Sequence, residues 1–116
     1  MTVKVIFELK LKYGKTSELI QMVREALPAT RQYDGCKHVD LCLGLDDTTQ
    51  VILTQEWGSK EKHLAYIQFR TEDGSLDKIR ALVTEEPKMS YLDIQVACSE
   101  AHDGKTHHSL HVFSNE

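Results

Sequence analysis

HVDLCLGLDDTTQVILTQEWGS, residues 38–59, is the stretch that decides the fold. Val39, Leu41, Leu43 and Leu45 alternate with His38, Asp40, Cys42 and Gly44. After a polar cluster, Asp46-Asp47-Thr48-Thr49, the pattern resumes: Val51, Leu53, Gln55 and Trp57 alternate with Ile52, Thr54 and Glu56. Side chains in a strand point to opposite faces in turn, so a period of two marks a half-buried strand. Two such runs joined by a short polar turn form an antiparallel hairpin. Ser59 then offers a side-chain oxygen for the free N–H groups at the start of a helix.

Working outward, residues 60–70 carry His63, Leu64, Ile67 and Arg70 at helical spacing. Glu72-Asp73-Gly74 breaks that helix, and Ser75 can cap another with Leu76, Ile79, Leu82 and Val83 as its stripe and Pro87 at its end. Residues 88–97 read as a last strand, with Leu92, Ile94 and Val96 on one face and Met89, Tyr91, Asp93 and Gln95 on the other. Upstream, residues 2–12 alternate: Val3, Val5, Phe7, Leu9 and Leu11 form an inward face, and Ile6 is the apolar exception on the other. Tyr13-Gly14-Lys15 is a turn, and Thr16 or Ser17 is the expected cap of the first helix. Leu19, Ile20, Val23 and Leu27 give that helix one buried stripe, and Pro28 is expected to kink it or end its regular part, with residues 29–33 as a second short piece. The order is βαββααβ, an α+β ferredoxin-like plan with an antiparallel sheet. Both helical layers fall on one face, so the other is expected to meet a second copy in a homodimer.

Composition bounds the function. A chain of 116 residues, 41% hydrophobic and 28% charged, is one globular domain with a real core. The net charge of −4 argues against nucleic acid, and Glu8 and Glu18 interrupt the cluster of Lys4, Lys10, Lys12 and Lys15. The run from Met1 enters a strand pattern at once, and no apolar run suits a membrane span. Cys36, Cys42 and Cys98 have no CxxC spacing, which points to inert thiols in a reducing cytoplasm. The domain is read as residues 1–97 and the rest, 98–116, as a His-rich tail holding four of the six histidines. His107-His108-x-x-His111 suits at most a weak, adventitious metal, so no metal is expected. Leu110, Val112 and Phe113 are read as docking on the partner subunit, with disorder as the alternative.

Several of these features occur together in one family. A first strand V-x-V-x-F, Gly14-Lys15 at the first helix, Asp34-Gly35-Cys36 entering the second strand, and Glu56-Trp57-Gly58-Ser59-Lys60-Glu61 at the third resemble antibiotic biosynthesis monooxygenase domains. The likeness runs over residues 3–96, and its last segment matches an "E-W-x-S-x-E" pattern. It implies a dimeric α/β barrel in which two sheets meet and each subunit keeps a pocket between sheet and helices. It implies cofactor-independent oxygenation of a small aromatic or quinol-type substrate, with no cofactor bound. A non-catalytic dimeric module for a small hydrophobic or aromatic ligand is the alternative. Haem-degrading relatives use an Asn on the first strand and a His on a helix. This chain has neither at its first strand or at residues 75–85, which disfavours haem. Many relatives also place a His nine residues after the Trp, where this chain has Tyr66 and, three residues earlier, His63.

That frame selects the candidates. His63 has the side chain suited to proton transfer near neutrality, or is a satisfied histidine. Tyr66, three residues on, shares its helix face and can donate to a substrate oxygen. Trp57 is an aromatic wall for a flat substrate or a core indole with its N–H bonded. Gln55 is polar on an inward face, and a buried amide needs partners. Arg70 can offset a phenolate charge or pair with Glu61, Glu72 or Asp73. Tyr91 completes the substrate-binding set, on a face that the pattern alone leaves open.

Overall fold

The computed structural model describes residues 2–97. The tail proposed to dock on a partner, with Cys98 and the histidines beyond it, lies outside the described residues. Four strands and three helices alternate: β1 (Val3–Lys10), α1 (Thr16–Gln32), β2 (Cys36–Leu43), β3 (Gln50–Trp57), α2 (Lys60–Glu72), α3 (Ser75–Arg80) and β4 (Lys88–Asp93). The strands form one sheet in the order β2-β3-β1-β4, antiparallel throughout. This is the ferredoxin-like α+β fold expected from the patterns.

Register places like with like. Leu9 faces Val51, Phe7 lies between Leu53 and Met89, and Val5 lies between Gln55 and Tyr91. These residues point to the helical side, where Leu19 and Val23 of α1 close an aliphatic core with Leu82 and Val83. The opposite face carries Lys4, Ile6 and Glu8 on β1, His38, Asp40 and Cys42 on β2, and Ile52, Thr54 and Glu56 on β3, none of them buried. Among the described residues, no helix packs on this face. Tyr91 therefore belongs to the helical side, because its cross-strand neighbour Val5 is fully buried there.

Local details depart from the pattern, each with a cause. Pro28 does not end α1, and residues 29–33 are not a separate piece: one helix runs from Thr16 to Gln32. A proline there removes one backbone donor, but the turn beyond it is fastened through Thr30, whose hydroxyl bonds both Ala26 O (3.1 Å) and Tyr66 (2.7 Å). Neither Thr16 nor Ser17 caps α1. Lys15 holds the cap position, and the Thr16 hydroxyl instead donates to Thr48 O across the β2–β3 turn. Gly74, at φ +84°, starts α3 in place of Ser75, whose N–H goes to Asp73. Leu82 and Val83 lie beyond that helix, and Val83 bridges to Leu11. Leu45 falls in the turn and is fully exposed. β4 stops at Asp93, so Ile94 and Val96 are not part of it.

Candidate functional site

The site is built on α2. Its start is set by Ser59, whose hydroxyl oxygen accepts from Lys62 N at 3.1 Å, one of the unpaired first-turn donors. From there α2 turns polar and aromatic side chains inward: His63 is fully buried and Arg70 is 8% exposed, whereas Leu64 is 46% exposed. This inverts the apolar stripe expected of a helix on a core. The sheet opposite supplies polar groups of its own, Gln55 and Tyr91, and they select polar partners.

Three linked groups result. In the first, Trp57 Nε1 donates to Gln55 Oε1 at 2.8 Å, both residues buried. Their side chains are two residues apart on one strand and so share a face. The Trp57 ring lies 5.0 Å from Tyr66 and 5.2 Å from His63, centroid to centroid.

In the second, His63 Nδ1 bonds Tyr91 Oη at 2.8 Å, and the Tyr91 hydroxyl also reaches Met89 Sδ at 3.5 Å. His63 Nε2 is buried without a partner. A bare lone pair in the interior costs less than an orphaned N–H. The network therefore assigns the proton to Nδ1, which donates to Tyr91, and leaves the lone pair on Nε2. Burial drives the pKa of His63 down to about 4 and raises that of Tyr91. Both groups are neutral at pH 7. Lys60 Nζ sits 4.9 Å from the Tyr91 ring centroid on its outer side.

The third is a relay from α2 to α1. Arg70 Nε donates to Tyr66 Oη (2.9 Å), Nη1 to Asp73 (2.9 Å), and Nη2 to Ala26 O (3.0 Å) and Thr30 Oγ1 (3.1 Å). Thr30 has one hydroxyl proton, and Ala26 O can only accept it. Tyr66 must then donate to Thr30, so its proton is spoken for. Burial works against the Arg70 charge, but Tyr66 and Asp73 outweigh it and raise the pKa.

Between the sheet and the helices lies an apolar cavity of about 80 Å³. Phe7, Val39 and Leu53 line it from the sheet, and Val23, Leu27 and Ile79 from the helices. Gln55, Tyr66, Thr30 and Arg70 form its polar end. Of the six residues expected from sequence, Gln55, Tyr66 and Arg70 line the cavity. Trp57, His63 and Tyr91 stand behind that lining. Thr30 was not anticipated, and a threonine near a helix end gives no sequence signal for partners 36 and 40 residues away. Tyr33 was also missed: it stacks on Phe69 at 5.5 Å and meets Trp57 edge-on at 6.3 Å. Among the described residues, no cluster of three or more His, Cys, Asp or Glu side chains could hold a metal ion.

Fold and pocket together define a ferredoxin-like domain with a small, mostly apolar cavity between sheet and helices. The sequence matches the antibiotic biosynthesis monooxygenase family over residues 2–71, and the chain belongs to that family. No curated protein matches it. Among solved structures, an antibiotic biosynthesis monooxygenase superposes with a TM-score of 0.71 at 20% identity, over 78% of this chain and 96% of that one. A conserved protein from Methanosarcina mazei Go1 gives 0.72 at 13% identity, over 78% and 90%. A protein from Mycobacterium tuberculosis gives 0.67 at 21%, over 84% and 98%. At such identities the likeness is one of fold. No helix among the described residues is long and apolar enough to cross a membrane.

Proposed function

We propose that this protein is a cofactor-independent monooxygenase of the cytoplasm, acting on a small aromatic or quinol-type substrate bound in the cavity. The observation that carries the reading is the cavity's polar end at Gln55, Tyr66 and Arg70, backed by a buried, unprotonated histidine. With its oxygen held by Trp57, Gln55 has its amide nitrogen left to donate to a substrate oxygen. Arg70 brings positive charge to the same end, where little water competes with it. His63 is the base. The substrate supplies the electrons: once deprotonated, its ring carbon gives an electron pair to O2 and forms a peroxide. Loss of water then leaves one oxygen atom on carbon as a carbonyl. A second copy covers the open sheet face, giving the homodimer.

One observation favours a second reading, a ligand-binding module without turnover. A base with a pKa of about 4 facing a phenol near 10 must move a proton uphill by about 8 kcal/mol. In addition, Nε2 is closed off and Tyr66 already donates to Thr30. Only an acidic substrate, or one whose arrival raises the His63 pKa, escapes this cost.

Oxygen uptake with a panel of quinols and anthrones, under metal-free conditions, separates the two. The expected outcome is uptake above the spontaneous rate, reduced about 100-fold or more in His63→Ala and lowered in Trp57→Phe. Absence of uptake from compounds that bind would leave the binding module. Sedimentation at micromolar concentration tests the dimer, because a single 13.3 kDa species would remove it.

A further inference from the structure

The cavity has a neighbour. A second space of about 110 Å³ lies under α3 and β4, bounded by Pro87 and Met89 and opening at Arg80 and Glu86. Phe7, Ile67, Leu76 and Ile79 line both spaces, so side chains alone separate them. Two of these four, Leu76 and Ile79, sit on α3, a six-residue helix with no buried residue. The two spaces differ in character. The first ends at the Gln55, Tyr66 and Arg70 groups, whereas the wall of the second is apolar until its rim, where Arg80 Nε pairs with Glu86 at 3.1 Å.

Size decides what such a pair can hold. An apolar cavity of about 150 Å³ accommodates one benzene. Neither space alone reaches that volume, but the two joined exceed it once the shared side chains part, so a single ring with a short chain fits across both where a fused tricycle does not. We propose that the ligand is amphipathic: one hydroxyl- or carbonyl-bearing ring at the polar end, with a short aliphatic chain running past Phe7 and Ile79 into the second space. This rests on the reading above that the cavity is a ligand site, and does not depend on catalysis there.

Calorimetric titration with 4-alkylphenols from methyl to octyl tests it, with anthrone as the tricyclic comparison. Each buried methylene should tighten binding about fourfold. The gain should stop once the chain reaches the Arg80–Glu86 rim. Pro87→Leu and Pro87→Phe each fill only the second space, so either should flatten the chain-length slope while phenol itself binds unchanged. Equal affinity along the series, a slope that persists in both folded variants, or anthrone binding more tightly than every alkylphenol would overturn the proposal. Oxygen uptake on the same compounds keeps the two readings apart. A binding slope without uptake removes the monooxygenase and leaves the amphipathic ligand, and uptake without a slope does the reverse.

Discussion

The covered face of the sheet has two ends built on different principles. Around Leu9, Val51 and Leu19 the interior is aliphatic, and no polar side chain enters it. Around Gln55, Trp57 and His63 it is aromatic and polar, and almost every buried donor and acceptor has a partner. The strands are continuous across both ends, so β3 alone passes from Val51 and Leu53 to Gln55 and Trp57 on one face. Aliphatic packing is non-directional and tolerant, and supplies most of the driving force. A buried polar network fixes orientation, and is costly wherever it is left incomplete. The domain is therefore held together at one end and made specific at the other, with His63 Nε2 the only buried side-chain nitrogen or oxygen without a partner among the described residues.

Substitutions can break or sharpen that contrast. Leu19→Ala, at a fully buried site in the aliphatic end, should cost about 3–5 kcal/mol in urea unfolding and leave ligand affinity of the folded protein unchanged. A loss below about 1 kcal/mol would mean that the stabilising half has been misplaced. The next largest effect is a pH dependence from the polar end. His63 titrates at about 4 when folded and near 6.5 when unfolded. Between these values the unfolded chain holds the extra proton, so stability is full above pH 6.5 and falls as pH drops toward 4. The total loss from this residue is about 3 kcal/mol. Denaturant midpoints across that window should drop in the parent and stay nearly level in His63→Gln; parallel curves would show that burial of this imidazole is not what acid works against. The smallest effect expected is from Thr30→Val, which removes the acceptor shared by Tyr66 and Arg70. It should cost about 1–2 kcal/mol and be less than additive with Tyr66→Phe. Strict additivity would show that the two residues do not act in one network.

The fold was legible because both periods in the sequence are carried by long apolar side chains, and burial follows them: Val5, Phe7 and Leu9 in β1, Val51 and Leu53 in β3. Element ends were less so, since they depend on partners distant in sequence. Thr16 turns to Thr48 instead of capping its own helix, and the turn after Pro28 is held by residues from α2. Half of the site was legible in the same sense. Gln55 stood out as an amide in an apolar row, and Trp57 as the end of that row. The rest hinges on how α2 is rolled on the sheet. His63, Leu64, Ile67 and Arg70 showed helical spacing without showing which side meets the sheet, and contact with Tyr91, Trp57 and Thr30 turned His63, Tyr66 and Arg70 inward while Leu64 faces out. No periodicity records that choice, because it is made by hydrogen bonds between segments.

The short α3 has a kinetic consequence. It buries no residue of its own, and it is held at its ends by exposed contacts, Asp73 to Ser75 N at 2.8 Å and Arg80 to Glu86. Segments of this kind open at a small fraction of the free energy of global unfolding. Local opening of α3 would carry Leu76 and Ile79 with it and join both spaces to the surface, so its amides should exchange well before those of the sheet and the two longer helices.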